Sequence, residues 1–86
     1  MRMLERKVKI SIKEGLQSKP AAVFVEKANT FNSHITLIKN EKVIAAKSIM
    51  GVMAAALAPG TEIILTAEGN DADKALNSLE EFLSTP

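Results

Sequence analysis

The stretch Lys7-Val8-Lys9-Ile10-Ser11-Ile12-Lys13-Glu14-Gly15-Leu16-Gln17-Ser18-Lys19-Pro20-Ala21-Ala22-Val23-Phe24-Val25-Glu26-Lys27-Ala28 changes its hydrophobic period halfway along. In the first half, Val8, Ile10 and Ile12 alternate with Lys7, Lys9, Ser11 and Lys13. That is the pattern of a half-buried strand. Glu14-Gly15 ends it. In the second half, Ala21, Phe24, Val25 and Ala28 recur at i, i+3, i+4 and i+7, and Phe31 extends the same face. This predicts an amphipathic helix of about three turns. Ser18 is read as its N-cap. Pro20 falls in the first turn, where a missing N–H costs nothing.

The same switching of period continues outward. Asn32-Ser33 breaks the helix, Ile35 and Leu37 begin a second strand, and Val43–Ala46 returns as a third after the turn signal Asn40-Glu41. Ser48 precedes the apolar run Ile49-Met50-Gly51-Val52-Met53-Ala54, an N-cap signature for a short helix that must end before Pro59-Gly60. Glu62–Glu68 alternates but is apolar on both faces, which predicts an inner strand. After Gly69-Asn70-Asp71, residues Ala72, Ala75, Leu76, Leu79, Phe82 and Leu83 form a clear helical stripe. Asp71 and Asp73 sit at its positive N-terminal end. The order is β-α-β-β-α-β-α. Four strands and three helices predict an α/β (α+β) open-faced sandwich, with the helices covering one face of the sheet.

Composition sets the outer bounds. The chain has 86 residues, which is one domain. It contains no cysteine and one histidine, so disulfide scaffolds, thiolate metal sites and multi-histidine zinc sites are excluded, and no residues for a cofactor stand out. The net charge of +1 and the absence of Trp and Tyr argue against nucleic acid as a direct partner. The longest apolar run, Ile49–Ala58, is about half of the ~20 residues a membrane span needs. Met1–Lys7 lacks the apolar core of a signal peptide, so a cytoplasmic protein is expected. Charge is segregated, however. Residues 1–19 carry six basic and two acidic side chains, and residues 62–86 carry one basic and six acidic. If the two segments are neighbours they attract; the plainer reading is two solvated surfaces.

Three stretches carry a resemblance: Gly15-Leu16-Gln17-Ser18-Lys19-Pro20-Ala21, Lys47-Ser48-Ile49-Met50-Gly51-Val52-Met53, and Gly60-Thr61-Glu62. In this order and spacing, over nearly the whole chain, the sequence resembles the HPr family, the small phosphocarrier domains of the bacterial sugar phosphotransferase system. The resemblance implies an HPr-like fold of the same β-α-β-β-α-β-α order. In the carriers, a histidine follows Gly-Leu or Gly-Ile at the start of the first helix and accepts a phosphoryl group. Here that position is Gln17. A glutamine amide is neutral, barely nucleophilic and without a pKa near 7. The one histidine, His34, lies at the start of the second strand and is read as a half-exposed surface residue.

A glutamine at this position is similar to the Crh-type subgroup, the catabolite-repression HPr proteins. That similarity implies a non-enzymatic regulator. It implies phosphorylation of Ser48 by HPr kinase/phosphorylase. It also implies corepression with a LacI-type transcription factor, catabolite control protein A. The partner surface it implies comprises Gln17, Lys19, Lys47, Ser48, Ile49, Met50, Val52 and Met53. Of these, Ile49 and Met50 are expected to face out, and Val52 with one methionine to face in. Lys19 stands where most members have arginine; it keeps the charge but loses the planar bidentate fork. Two other readings remain open: a true phosphocarrier, against which Gln17 counts, and a phosphorylation-blind interaction module. A homodimer is possible, because a strand at the chain end can exchange between protomers.

Overall fold

The computed structural model describes residues 3–86; Met1 and Arg2, part of the stretch read for a leader, lie outside. The elements are β1 (Met3–Lys9), α1 (Ser18–Asn29), β2 (His34–Lys39), β3 (Lys42–Ala45), α2 (Ile49–Ala55), β4 (Glu62–Glu68) and α3 (Ala72–Ser84). The strands form one antiparallel sheet in the order β1-β4-β2-β3. β4 is therefore an inner strand, as its two apolar faces predicted. One side of the sheet supplies Val8, Ile35, Leu37, Ile44, Ile63, Leu65 and Ala67 to the core. Phe24 from α1, Val52 from α2, and Leu76, Leu79 and Leu83 from α3 pack into that core, all at 0% exposure. Among the described residues no helix is long and apolar enough to cross a membrane.

Several predicted boundaries move, each for a local reason. The burial alternation of the first strand does run through Ile10 and Ile12, but the β1–β4 ladder spans Met3–Lys9. Beyond Lys9 the chain stays extended on other partners: Ile10 N–H donates to Thr61 O at 2.9 Å and Ser11 N–H to Leu83 O at 2.8 Å. β3 is Lys42–Ala45 rather than Val43–Ala46; buried Ala46 still donates to Ile35 O at 3.1 Å. α1 stops at Asn29, where the Thr30 hydroxyl bonds back to Lys27 O at 2.6 Å, so Phe31 packs on the core from outside the helix. Asn40 and Glu41 both have positive φ, 50° and 69°, as a two-residue hairpin turn requires.

Two polar links fix the layers. The segregated charges meet, since α3 packs on β1 and Arg6 Nη1 lies 2.9 Å from Glu80 Oε1 and 2.6 Å from Asn77 Oδ1. At the other end of α3, the Asp71 carboxylate accepts hydrogen bonds from Asn32 N–H (2.8 Å), Ser33 N–H (3.0 Å) and the Ser33 hydroxyl. This sews the start of β2 to the start of α3. Gly69 allows the approach: a Cβ there would lie 2.5 Å from Ser33 Oγ.

The Ser33 hydroxyl, followed by the Asn32 amide, holds the Asp71 carboxyl below its ordinary value of 3.8. A depressed carboxyl stabilises the fold above its unfolded-state pKa, and that contribution disappears as pH falls through the lower folded value. Urea unfolding of the parent chain is therefore expected to weaken from just above pH ~4 downward. Asp71→Asn is expected to be less stable at neutral pH and to show a shallower acid dependence in the same titration.

Candidate functional site

The candidate site is built where α1 begins beside the far end of α2. Leu16 and Leu57 form an isolated antiparallel bridge, with Leu16 N–H donating to Leu57 O at 2.7 Å. Both leucines are fully buried. Gly15 makes the crossing possible. Its φ is +74°, and a Cβ would lie 2.6 Å from Leu57 O and 2.9 Å from Pro59 Cδ.

The bridge also sets the start of α1. Gln17 is extended (φ −135°, ψ 162°) and occupies the N-cap position without a side-chain capping bond. The chain turns into the helix at Ser18, whose φ is +51°. Ser18 is thus the first helical residue and not the cap that the sequence suggested. Gln17, Ser18 and Lys19 are all exposed, and the first turn of α1 carries no acidic side chain. The arrangement presents a neutral amide, a hydroxyl and a cation at a positive helix end, with no imidazole among them.

At the opposite end of α2, Ser48 is the N-cap predicted from sequence. Its backbone is extended, and its Oγ accepts from Gly51 N–H at 3.1 Å. Ser48 is half-buried. The segment before it is tied to the end of α1, because Lys47 Nζ donates to Phe31 O at 2.8 Å and Asn29 Nδ2 to Lys47 O at 3.4 Å. Lys47 is thereby a tether for the Ser48 segment and not a free surface cation.

Helical spacing then sorts the apolar run. Met50 is 80% exposed, Met53 47% and Ile49 38%, while Val52 is fully buried. Two expectations are corrected. Val52 points into the core, as expected, and this removes it from the partner surface that the resemblance implied. Neither methionine of α2 turns inward, because positions 50 and 53 share the outer face, one turn apart. The outer patch lies on α2, which runs about 10 Å from its cap Ser48 toward Leu57, the bridge partner of the residue before Gln17. His34 is exposed on β2 opposite Glu68, away from this surface. Ala56 closes α2 in the left-handed region (φ 49°). Nothing in Ala-Ala-Ala-Leu-Ala signals that cap, so the sequence missed it. Among the described residues no cluster of three potential metal ligands occurs.

Residues 4–85 match the family model for the PTS HPr component phosphorylation site. The chain belongs to the HPr family. It is 46% identical over 81 residues to the HPr-like protein Crh of Bacillus subtilis (strain 168), covering 94% of this chain and 95% of that one. The crystal structure of a phosphocarrier protein HPr from Bacillus anthracis str. Ames has the same fold, with a TM-score of 0.92 at 44% identity over 94% of this chain and 96% of that one. The crystal structure of B. subtilis Crh, a domain-swapped intertwined dimer, is similar at a TM-score of 0.71 and 44% identity, over 93% of this chain and 92% of that one. HPr-family proteins are phosphocarriers or regulators, and this chain shares the fold of both kinds.

The two ends of the site respond differently to substitution. Gly15→Ala forces a strained backbone and pushes Leu57 away; a loss of ~2 kcal/mol or more is expected in urea unfolding. Ser48→Ala removes one cap, a loss of about 1 kcal/mol. That corresponds to a melting temperature lower by about 4–8 °C in a domain this small. Ser48→Asp keeps an acceptor at the cap and is expected to melt close to the parent.

Proposed function

We propose that this chain is a cytoplasmic regulatory HPr-like protein of the Crh type, phosphorylated on Ser48 by HPr kinase/phosphorylase and acting as corepressor with catabolite control protein A. The observation that carries the reading is Gln17. It stands exposed where α1 begins, in the position the resemblance gives to the carrier histidine. A histidine there would form a phosphoramidate; the nitrogen lone pair of a glutamine amide is delocalised into its carbonyl and barely nucleophilic. The remaining histidine, His34, is on another surface.

Support for Ser48 comes from its surroundings. Its oxygen is at the surface end of a helix whose N-terminus tolerates added negative charge. Exposed Ile49, Met50 and Met53 adjoin it, and a methionine-rich surface adapts to more than one partner. In this reading Gln17, Lys19, Ile49, Met50 and Met53 contact partners, and Lys19 offers carboxylates a point charge in place of a fork. Self-association is a second element of the reading. The swapped Crh dimer supports it, and β1 lies at the sheet edge near the chain start, where exchange costs least.

The test is phosphosite-resolved mass spectrometry in two parallel reactions. ATP with HPr kinase/phosphorylase is expected to place one phosphate on Ser48, and Ser48→Ala to remove it. Phosphoenolpyruvate with enzyme I of the phosphotransferase system is expected to leave the chain unlabelled at neutral to alkaline pH, and Gln17→His to create a phosphohistidine. Labelling of the parent chain in the second reaction alone would reverse the reading in favour of a carrier.

A further inference from the structure

β3 closes one edge of the sheet. It pairs with β2 in the register Lys39↔Lys42, Ile38↔Val43, Leu37↔Ile44 and Thr36↔Ala45. In an antiparallel hairpin with a two-residue turn, alternate residues spend both backbone groups on the partner strand, and those between aim theirs outward. The even-numbered residues of β3 face β2, and just past the strand Ala46 N–H continues the series onto Ile35 O. The odd-numbered ones face out, and the Ala45 carbonyl accepts from Ser48 N–H at 3.2 Å instead of from β2. The Val43 N–H, the Val43 carbonyl and the Ala45 N–H are left on the free edge, without a backbone partner among the described residues.

This edge borders a cleft of about 320 Å³ between β3 and α2, with Ile44, Ala54 and Ala55 as apolar lining, Ser48 and Gly51 on the α2 side, and Lys42 on the β3 side. An adjoining hollow of about 380 Å³ adds Lys39, Asn40 and Glu41. Lys39 and Lys42 oppose each other directly across the hairpin, a like-charge pair that costs stability unless an anion joins it. Glu41, in the turn, supplies one carboxylate against the two ammonium groups. Val43 is 66% exposed on the other side of the strand. Two such edges carry the same sign of charge at Lys39 and Lys42, and edge lysines are a usual guard against self-pairing. A strand that carries carboxylates meets the opposite case: backbone bonds at Val43 and Ala45, and opposite charge at Lys39 and Lys42.

We propose that the outer edge of β3 is a strand-addition site for an extended, acidic segment of a partner protein. The segment runs along Val43–Ala45, with acidic side chains toward Lys39 and Lys42 and a small apolar one against Ile44, Ala54 and Ala55. The site adjoins Ser48, which lines its cleft, but its backbone contacts lie at Val43–Ala45 and need no phosphate on Ser48.

The test uses the unphosphorylated chain, isotope-labelled, and two short capped peptides, Glu-Thr-Ala-Thr-Glu, which carries glutamate and alanine on one face, and the same peptide with lysine in place of glutamate. Hydrogen exchange and amide shifts are read residue by residue. The glutamate peptide is expected to slow exchange at the Val43 and Ala45 amides and to bind at least about tenfold more tightly than the lysine peptide. Val43→Pro removes the outward N–H, spares the β2 ladder and is expected to abolish the protection. Lys42→Glu, which leaves the backbone alone, is expected to reverse the peptide preference. Three results would overturn the proposal: no binding of the glutamate peptide at millimolar concentration, binding that perturbs Lys39 and Lys42 while Val43 and Ala45 exchange as before, or protection that grows with protein concentration in the absence of peptide. The second means a simple anion hollow, and the third a second copy of this chain. None of these bears on Ser48, because no kinase is present.

Discussion

The surface formed by α1 and α2 depends on one backbone crossing. Leu16 N–H meets Leu57 O at 2.7 Å, and the crossing is possible only because Gly15 has no Cβ and sits at φ +74°. Both flanking leucines are wholly buried, so the bond is shielded from water and backed by apolar contact. From that point the chain direction is fixed. Gln17 is extended, Ser18 turns, and α1 begins with its free N–H groups beside the end of α2. At the other end of α2, Lys47 and Asn29 tie the Ser48 segment to the end of α1. α2 is thus held at both termini, and its seven residues need little intrinsic helical stability to stay in place.

The sheet imposes the complementary constraint. β4, between β1 and β2, is buried on the helix side by Ile63, Leu65 and Ala67 and is largely covered on the other by cross-strand neighbours such as Thr36 opposite Thr66. The edges are left to β1 and β3, and they are treated differently. β1 is long and alternates charge, and Arg6 is bound into α3 through Glu80 and Asn77. β3 has only four residues, with lysine beside its turn. Short length and lysine are two devices that keep an edge from pairing with its own kind, and they leave the edge open to a strand of opposite charge.

Much of this was legible in the sequence. Period 2 giving way to period 3.6 located β1, α1, β4 and α3, while β3 came from the turn signal Asn40-Glu41 and α2 from a cap before an apolar run. The double-faced pattern of Glu62–Glu68 placed β4 inside the sheet, and Ser48 before an apolar run identified a cap that the geometry bears out. The errors share a cause. Ser18 looked like a cap because local propensity favours serine there, but the Leu16–Leu57 bridge, a contact across 41 residues, sets the helix start instead. Val52 entered the partner surface through the resemblance although it was expected to face in, as it does; the error was in the methionines, because only the angle of α2 against the sheet decides which residues of the run turn inward. The tether of Lys47, placed in the partner surface by the resemblance, was not legible because its acceptor, the Phe31 carbonyl, lies 16 residues away in the loop after α1. The cap at Ala56 was invisible because alanine has no preference for positive φ; tertiary closure onto Leu57 imposes it.

The capping bond at Ser48 bears on how a switch in this fold can work. Its hydroxyl already satisfies the Gly51 N–H, and a Cβ on residue 51 would stand 3.3 Å from that oxygen. The absence of a side chain at Gly51 keeps the approach to the hydroxyl open. A phosphoryl group on Ser48 keeps an oxygen at the cap and adds charge where the helix dipole favours it. Nothing in the core has to move: Val52 and Leu57 hold α2 from below, and Lys47 holds the segment before it. In the proposed role the signal is therefore a change in surface charge beside Ile49, Met50 and Met53, not a change in fold. Such a signal must be read by a partner that brings its own cations, which fits a protein in which the ammonium of Lys47, the residue before Ser48, is already committed to Phe31.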